Sequence, residues 1–428
     1  MERISFLSKS NYLSYAIAFS LSFLINGLAI LIGVWVLSLL IQFILKPKIQ
    51  FQFNVPQKIL LAFYFMYVIG LLWSSNRDAA LFALEVKLSL MVFPLTIGLN
   101  RDFFRQNSNQ ILLSFMLGLV FSSLLCLIVA FWESTFFLID GFNFNTIDPE
   151  YADWEYGGSH FRYINLSLFV HPTYFSVYIL FALAIAVKFL EDRIFTNKSL
   201  LIVMKMSVPL FLVMIYLLSS KAVITSTIIL FIFYSFNLYH RFSSKFIRIL
   251  IPSIFPLFIF VALQNPRFNT ILQAIDNPEY IIDHSNDGSF TSRIHIWKAG
   301  LKLISNNFLL GVGPGDTNTE LVDVYKYYNY LDPVLKNSNA HNQYIETAID
   351  IGFFGFAVLL AVLFYPFYLS FKKRNYLFLV FLFIIGFNFL FESFLNLQAG
   401  VIFFAFFYSL LGSLDEEHYT ASGVKSLS

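Results

Sequence analysis

Polar interruptions cut this chain into a long series of apolar runs. They fall near residues 13 to 27, 29 to 44, 59 to 73, 86 to 99, 111 to 132, 173 to 190, 200 to 219, 222 to 239, 249 to 263, 349 to 371, 376 to 392 and 396 to 412. Runs of this kind approach the roughly 20 apolar residues a helix needs to cross a bilayer. A segment surrounded by lipid must satisfy its own backbone, so each is expected to be helical. The pattern predicts an all-α, polytopic membrane protein with about twelve transmembrane helices. The first two are divided only by Asn26-Gly27.

Two connections are too long to be turns, residues 133–172 and 264–345, and loops of that length usually carry function or have no fixed structure. The chain therefore divides into residues 1–263, with helices 1 to 9 and the first long loop, the large loop 264–345 between helices 9 and 10, and residues 346–428, with helices 10 to 12 and a tail. Lys46, Lys48, Lys58, Arg101, Arg105, Lys188, Arg193, Lys198, Lys205, Arg241, Lys245, Arg248, Lys372, Lys373 and Arg374 fall in alternate connections. Because basic residues are retained on the cytoplasmic side, both termini are predicted inside and both long loops outside. In "SRIHIWKAGLKLISNNFLLG", Ile294, Trp297, Leu301 and Ile304 recur at helical spacing, which predicts a small helical cap on the outer membrane surface. The first loop is acidic, with Glu133, Asp140, Asp148, Glu150, Asp153 and Glu155 against Arg162.

Composition agrees with the membrane reading. Hydrophobic residues make up 58% and charged residues 13%, where soluble chains carry about 25% charged residues. A formal charge of +2 gives no electrostatic footprint for a nucleic-acid partner. Cys126 is the single cysteine, so neither an intramolecular disulfide nor a cysteine metal site can form. No metal and no cofactor is expected. The first run lacks a small-residue cleavage signature and reads as a retained span.

Charge beside membrane segments needs a reason. Lys221 interrupts "IYLLSSKAVITST" at the outer mouth of two runs, where the alternative is a turn lysine reaching the interface. Lys87 in "LEVKLSL" stands near Glu85, so local neutralisation is the alternative. Arg293 opens the amphipathic segment "TSRIHIW" and could equally be a solvated surface residue. In "SNAHNQYIETAIDIGFFG", residues 338–355, a polar run with one histidine enters an apolar segment. Asn339 is a candidate N-cap for a helix starting at Ala340, which would put His341 in the first turn. There the helix dipole disfavours imidazolium, leaving a ring able to accept a proton. The run "GVGPGD" at 311–316 lacks the Gly-Lys-Ser/Thr of a phosphate loop and reads as a structural turn. Glu392 and Gln398, at the outer end of the last helical pair, could line an acceptor path or be satisfied by backbone. His171-Pro172 could touch substrate or form a turn.

His341-Asn342, nine residues, Gly352, two residues, Gly355 resembles the signature of the O-antigen ligase and polymerase superfamily. "LLWSSNRDAALFALEVKLSLMVFPL" at 71–95, "HPTYFSVY" at 171–178, "SRIHIWKAGLKLISNNFLLGVGPGD" at 292–316 and "FESFLNLQAGVIFFAFF" at 391–407 agree with it in order, so the resemblance spans most of the chain. It implies glycan transfer from a polyprenyl (undecaprenyl) pyrophosphate carrier at the outer, periplasmic face of a bacterial inner membrane, without metal or nucleotide. It implies His341 as catalytic base or orienting group and Arg293 as an essential cation. Arg293, Lys221, Lys87 and Arg162 are then the candidate pyrophosphate-binding residues. Lys221 stands where ligases commonly have arginine, and a lysine offers a point charge in place of a bidentate fork. Glu392, Gln398 and His171 are candidates for the acceptor side. The acceptor expected is lipid A-core, with a growing polymer or a protein hydroxyl as alternatives. A secondary transporter or flippase is the rival from another class; it predicts two repeat-related halves, and no such pairing joins the first and second six segments.

Overall fold

A computed structural model of the chain describes residues 10–45, 53–138, 141–147, 158–241 and 289–414. The expected run 249–263, the first part of the large loop and the acidic residues Asp140, Asp148, Glu150, Asp153 and Glu155 lie outside the described residues. The helical expectation holds. The strand pairing among the described residues is a short antiparallel hairpin, Thr135–Leu138 with Gly141–Phe144, at the start of the first long loop.

Five helices among the described residues are long and apolar enough to cross a membrane: Arg77–Leu99, Arg101–Glu133, Pro172–Glu191, Lys198–Leu218 and Gln343–Lys373. Shorter apolar helices cover Gly27–Ile41, Val55–Gly70, Lys221–Ser235, Tyr376–Asn388 and Gln398–Ser413. Where the pattern suggested a span from 13 to 27, the chain forms the eight-residue helix Leu13–Ser20 and breaks before Ile25–Leu45. The runs are bounded by asparagine caps, whose side-chain oxygen satisfies a backbone N–H that the first helical turn leaves unpaired. Asn54 accepts from Gln57 N–H at 2.9 Å and forms a reciprocal capping box with it. Asn76, Asn197, Asn342 and Asn375 cap helices in the same way.

The chain forms two compact units, one from residues 1–115 and 281–428, the other from residues 116–280. In the second unit, Pro172–Glu191 runs against Lys198–Leu218, and Lys221–Arg241 follows after Ser219 turns the chain at φ 55°. The first unit is organised around Gln398–Ser413, which is buried continuously from Gly400 to Ser413. A helix apolar on every side belongs in a core. Phe403, Phe404, Phe407 and Tyr408 interleave there with Phe381, with ring centroids 5.7 to 6.4 Å from Phe381 for the three phenylalanines. Gln343–Lys373 packs along Val55–Gly70.

Within residues 264–345 the described part is helical, as the spacing of apolar residues predicts. Ser289–Asn306, Thr317–Tyr327 and Leu331–Leu335 enclose a core of Ile296, Ala299, Leu303, Leu321, Tyr325 and Tyr330, completed by Ala340 and Ile349. Gly300 lets Ser289–Asn306 settle on Gln343–Lys373, since a Cβ at that position would strike Ile345.

Gln343–Lys373 is broken one-quarter of the way along. Ile351 leaves helical geometry and Gly352 takes φ +63°, ψ −162°, a region open essentially to glycine alone. The break frees backbone groups that must find partners in a dry environment, and the "GVGPGD" turn supplies them. Val312 N–H donates to Ile349 O at 2.8 Å, Gly313 N–H to Asp350 O at 3.0 Å, and Phe353 N–H to Phe308 O at 2.8 Å. At its far end Asp316 accepts from the N–H groups of Ser75 and Asn76 at 2.7 and 2.9 Å. The structural-turn reading of 311–316 is therefore right, and the turn has a specific task. Gly352→Ala, which places a methyl onto the Leu309 carbonyl oxygen at a glycine-only φ/ψ, is expected to cost at least about 2 kcal/mol. Thermal unfolding of the detergent-purified variant checks this, with an unchanged Tm as the opposing result.

Candidate functional site

The site in the first unit starts from Asn342. Its side chain accepts from the N–H groups of Tyr344 and Ile345 at 2.9 and 3.1 Å, so the helix begins at Gln343. This corrects the expected start at Ala340 with Asn339 as cap. His341 lies ahead of the helix, at φ +42°, and Asn339 accepts its backbone N–H at 3.0 Å. The tighter Asn342 cap wins because it satisfies two orphan donors at once.

The positive φ of His341 is over-determined by neighbours on both sides. Ala340, just before it, is buried in the cap core, and its N–H donates to Glu346 Oε2 at 2.8 Å. Asn342 and Gln343, just after it, are stitched to the turn that joins the last two helices. Gln343 N–H donates to Phe389 O at 2.8 Å, Asn342 Nδ2 to Leu390 O at 3.1 Å, and Leu395 N–H to Gln343 Oε1 at 2.6 Å. Glu346 completes the seam: Ser393 Oγ donates to Oε2 at 3.1 Å and Asn396 Nδ2 to Oε1 at 2.6 Å. The result is a fixed His341 whose side chain is 33% exposed while its Nδ1 is buried, 3.6 Å from Glu392 Oε1 and without a hydrogen-bond partner.

Beneath His341 sits an ionic cluster that the sequence reading missed. Glu346 and Asp350 are 4% and 3% exposed and one turn apart on the same apolar helix. Asp350 accepts from Thr317 Oγ1 at 2.6 Å and from Tyr67 OH at 3.1 Å. The counter-charge is Lys87, itself 3% exposed, with Nζ 3.3 Å from Asn396 Oδ1 and 4.7 Å above the Tyr67 ring. Lys87 thus faces inward, toward Asn396 and Tyr67, and away from its neighbour in sequence Glu85, which is exposed. A cue was available: two carboxylates four residues apart inside a membrane-length run are costly without partners.

Arg293 is half-buried in the first turns of Ser289–Asn306. Its spacing of three from Ile296 and seven from Gly300 puts it on the face that packs on the helix after His341, roughly 10 Å toward the N-terminus from the Gly300 contact. Nearby His295 stacks on Tyr330, ring centroids 4.3 Å apart. Tyr325 donates to Ser338 O at 3.2 Å; burial, with the Glu346 charge adding, pushes its phenol up, so it remains a protonated donor. Gln398 is exposed at the start of the last helix.

Three of the expected site residues lie in the second unit. Lys221 is half-buried at the first position of its helix, and Arg162 is half-buried just before Tyr163–Leu166. His171 caps Pro172–Glu191, its Nδ1 accepting from Thr173 N–H at 3.4 Å, with Tyr163 and Tyr174 edge-on to its ring. A further pair not read from sequence, His160 Nδ1 and Glu133 Oε2 at 3.4 Å, stands in the same unit.

Residues 206–360 match the family model described as O-antigen ligase. The match supports the O-antigen ligase superfamily for this chain. It takes in Lys221, Arg293, the 311–316 turn, His341, Gly352 and Gly355, and it ends before Glu392 and Gln398. The multi-pass helical architecture and the O-antigen ligase domain together support glycan transfer of the O-antigen ligase and polymerase type. A comparison with curated proteins finds no match.

The domain's histidine segment depends on the Glu346 seam. In Glu346→Gln one carboxylate oxygen that now accepts a hydrogen bond becomes an NH2 facing a donor. Stability is expected to fall by about 2 to 3 kcal/mol, the cost of leaving buried charged-group partners unsatisfied. The same thermal unfolding assay reads the change, and a Tm equal to that of the parent would show the seam to be dispensable.

Proposed function

We propose that this protein transfers a glycan from an undecaprenyl pyrophosphate carrier to lipid A-core at the periplasmic face of the bacterial inner membrane. The single observation carrying this reading is that the segment matching the O-antigen ligase family encloses a histidine held at positive φ by neighbours on both sides, partly exposed, with Arg293 in the helix that packs on the helix following it. About twelve spanning helices with both termini cytoplasmic remain part of the proposal, supported by the hydrophobic pattern and by the distribution of lysine and arginine.

In the proposed reaction the acceptor hydroxyl gives its proton to the His341 imidazole and its oxygen attacks the anomeric carbon. The bond from that carbon to the pyrophosphate oxygen breaks, and its electron pair leaves with the pyrophosphate. Direct displacement inverts the anomeric centre. The departing group gains negative charge, and preorganised cations stabilise such charge best where it develops. Arg293, with a planar fork of donors, takes that role. Lys221, from the family resemblance, and Arg162 are further candidates for donor binding. Lys87 serves as the internal counter-charge of Glu346 and Asp350. Glu392, Gln398 and His171 stay on the acceptor side of the proposal, with Glu392 taken up again below. A growing polymer or a protein hydroxyl in place of lipid A-core would use the same donor chemistry.

With purified protein, undecaprenyl pyrophosphate-linked oligosaccharide and lipid A-core, His341→Ala is expected to leave only a small residual transfer, on the order of 1,000-fold or more below the parent, while the protein remains in the membrane; turnover equal to the parent would remove His341 as base. Transfer should persist in excess chelator, and magnesium-restorable loss on adding EDTA would contradict a reaction run by side-chain cations. Arg293→Ala and Lys221→Ala should each slow turnover on the order of 100-fold. Lys221→Arg should be tolerated and Arg293→Lys should not, because the fork matters at Arg293. Full activity in both alanine variants would place the donor elsewhere.

A further inference from the structure

We infer that Glu392 is the positioning residue of His341: its carboxylate selects the imidazole tautomer protonated at Nδ1 and so aims the proton-accepting Nε2 at the acceptor hydroxyl. This rests on the reading of His341 as the base and deepens it.

Four observations carry the inference. His341 Nδ1 is buried and has no hydrogen-bond partner, a state that costs free energy for a polar atom with nothing to do. The polar group facing it is Glu392 Oε1 at 3.6 Å, slightly beyond hydrogen-bond range and brought within it by a side-chain adjustment of a few tenths of an ångström. Glu392 is not free to drift: its side chain is 12% exposed, and its neighbours Leu390, Ser393, Leu395 and Asn396 are tied to the start of the histidine helix by Asn342, Gln343 and Glu346. Its partner's backbone is fixed at φ +42° by Asn339 and by the Glu346 bond to Ala340 N–H. Two groups held this firmly, on elements sewn together at both flanks, keep one relative geometry.

The chemistry follows. A neutral imidazole has one N–H, and a carboxylate beside Nδ1 places it there, leaving the lone pair on Nε2. When Nε2 takes the hydroxyl proton, the ring becomes cationic and the same carboxylate lies against the new charge. The hydrogen stays on Nδ1 throughout and no proton passes to Glu392. Among the described residues, the other charged groups of this region are Glu346 and Asp350 on the histidine helix, Lys87 from the segment behind it and Arg293 on the cap helix, which carries positive charge and cannot play the carboxylate's part; Glu346 is committed to Ala340, Ser393 and Asn396, and Lys87 is turned toward Asn396 and Tyr67. Glu392 is therefore the carboxylate placed to act on the ring. This also gives it a role distinct from lining an acceptor path, where loss would show in KM.

The test is the pH dependence of transfer from undecaprenyl pyrophosphate-linked oligosaccharide to lipid A-core by full-length Glu392→Gln, Glu392→Asp, His341→Ala and His341→Ala/Glu392→Gln proteins. Glu392→Gln should lower kcat by about 10- to 100-fold, within the help a general base supplies, with KM unchanged. The acid limb of kcat/KM should move to lower pH, because a nearby carboxylate favours imidazolium and its removal lets the ring stay neutral further down. Glu392→Asp keeps the charge on a shorter arm and should retain the parental acid limb with a smaller rate loss. The double variant should be no slower than His341→Ala, since the two residues act as one unit. A loss confined to KM, an acid limb that stays in place in Glu392→Gln, or a double variant slower than His341→Ala by the full Glu392 factor each overturns the inference while leaving the base assignment intact. Full activity of His341→Ala overturns the base assignment, and this inference with it. If Glu392→Gln does not accumulate in the membrane, the Glu392→Asp profile decides: a displaced acid limb counts against the inference.

Discussion

One carboxylate sets the conditions for the rest of the site. Glu346 sits 4% exposed on an apolar helix and accepts from the Ala340 backbone, the Ser393 hydroxyl and the Asn396 amide. An isolated buried charge would not survive in such surroundings, and it persists because three donors and the ammonium of Lys87 compensate it. The same bonds fix the residue before His341 and the turn after Phe389. Electrostatic satisfaction of the core and precise placement of the histidine are thus one arrangement. That is the supporting layer a reacting group needs if it is to be held without help from the substrate.

The kink at Ile351–Gly352 serves a related purpose one turn deeper. Breaking a membrane helix exposes carbonyl groups that lipid cannot satisfy. Here the 308–313 backbone pairs with them, and Asp316 ties that turn to Ser75 and Asn76. The glycine pattern that follows His341 is therefore a packing requirement: Gly352 supplies a backbone geometry no other residue adopts cheaply, and Gly355 admits Ile351 against the helix. In this chain the glycines seat the cap that holds the histidine.

How much of this could be read from residues alone varied with the physics involved. Long apolar runs report burial directly, so helices such as Pro172–Glu191 and Lys198–Leu218 lie where the pattern put them. The cap helix was legible from its helical spacing, but its buried face was offset: of Ile294, Trp297, Leu301 and Ile304, only Trp297 and Ile304 pack against the core, Leu301 is exposed, and Ile296, Ala299 and Leu303 form the buried stripe. The start of the histidine helix was displaced by three residues, since Asn339 and Asn342 are both acceptable caps and only tertiary contacts choose between them. The Lys87, Glu346, Asp350 and Asn396 cluster joins positions hundreds of residues apart, a pairing that no local pattern records. Lys87 illustrates the consequence: in sequence it looked like a cation at the membrane edge, and in the fold it faces two carboxylates inside the protein.

The most direct test of the central claim is a cryo-electron microscopy structure of the full-length protein with undecaprenyl pyrophosphate bound. The account predicts the pyrophosphate within hydrogen-bond distance of Arg293, His341 still at positive φ, and Glu346 still bonded to Ala340, Ser393 and Asn396. A pyrophosphate bound away from Arg293, or a His341 segment that leaves the Glu346 seam to meet the ligand, would contradict it.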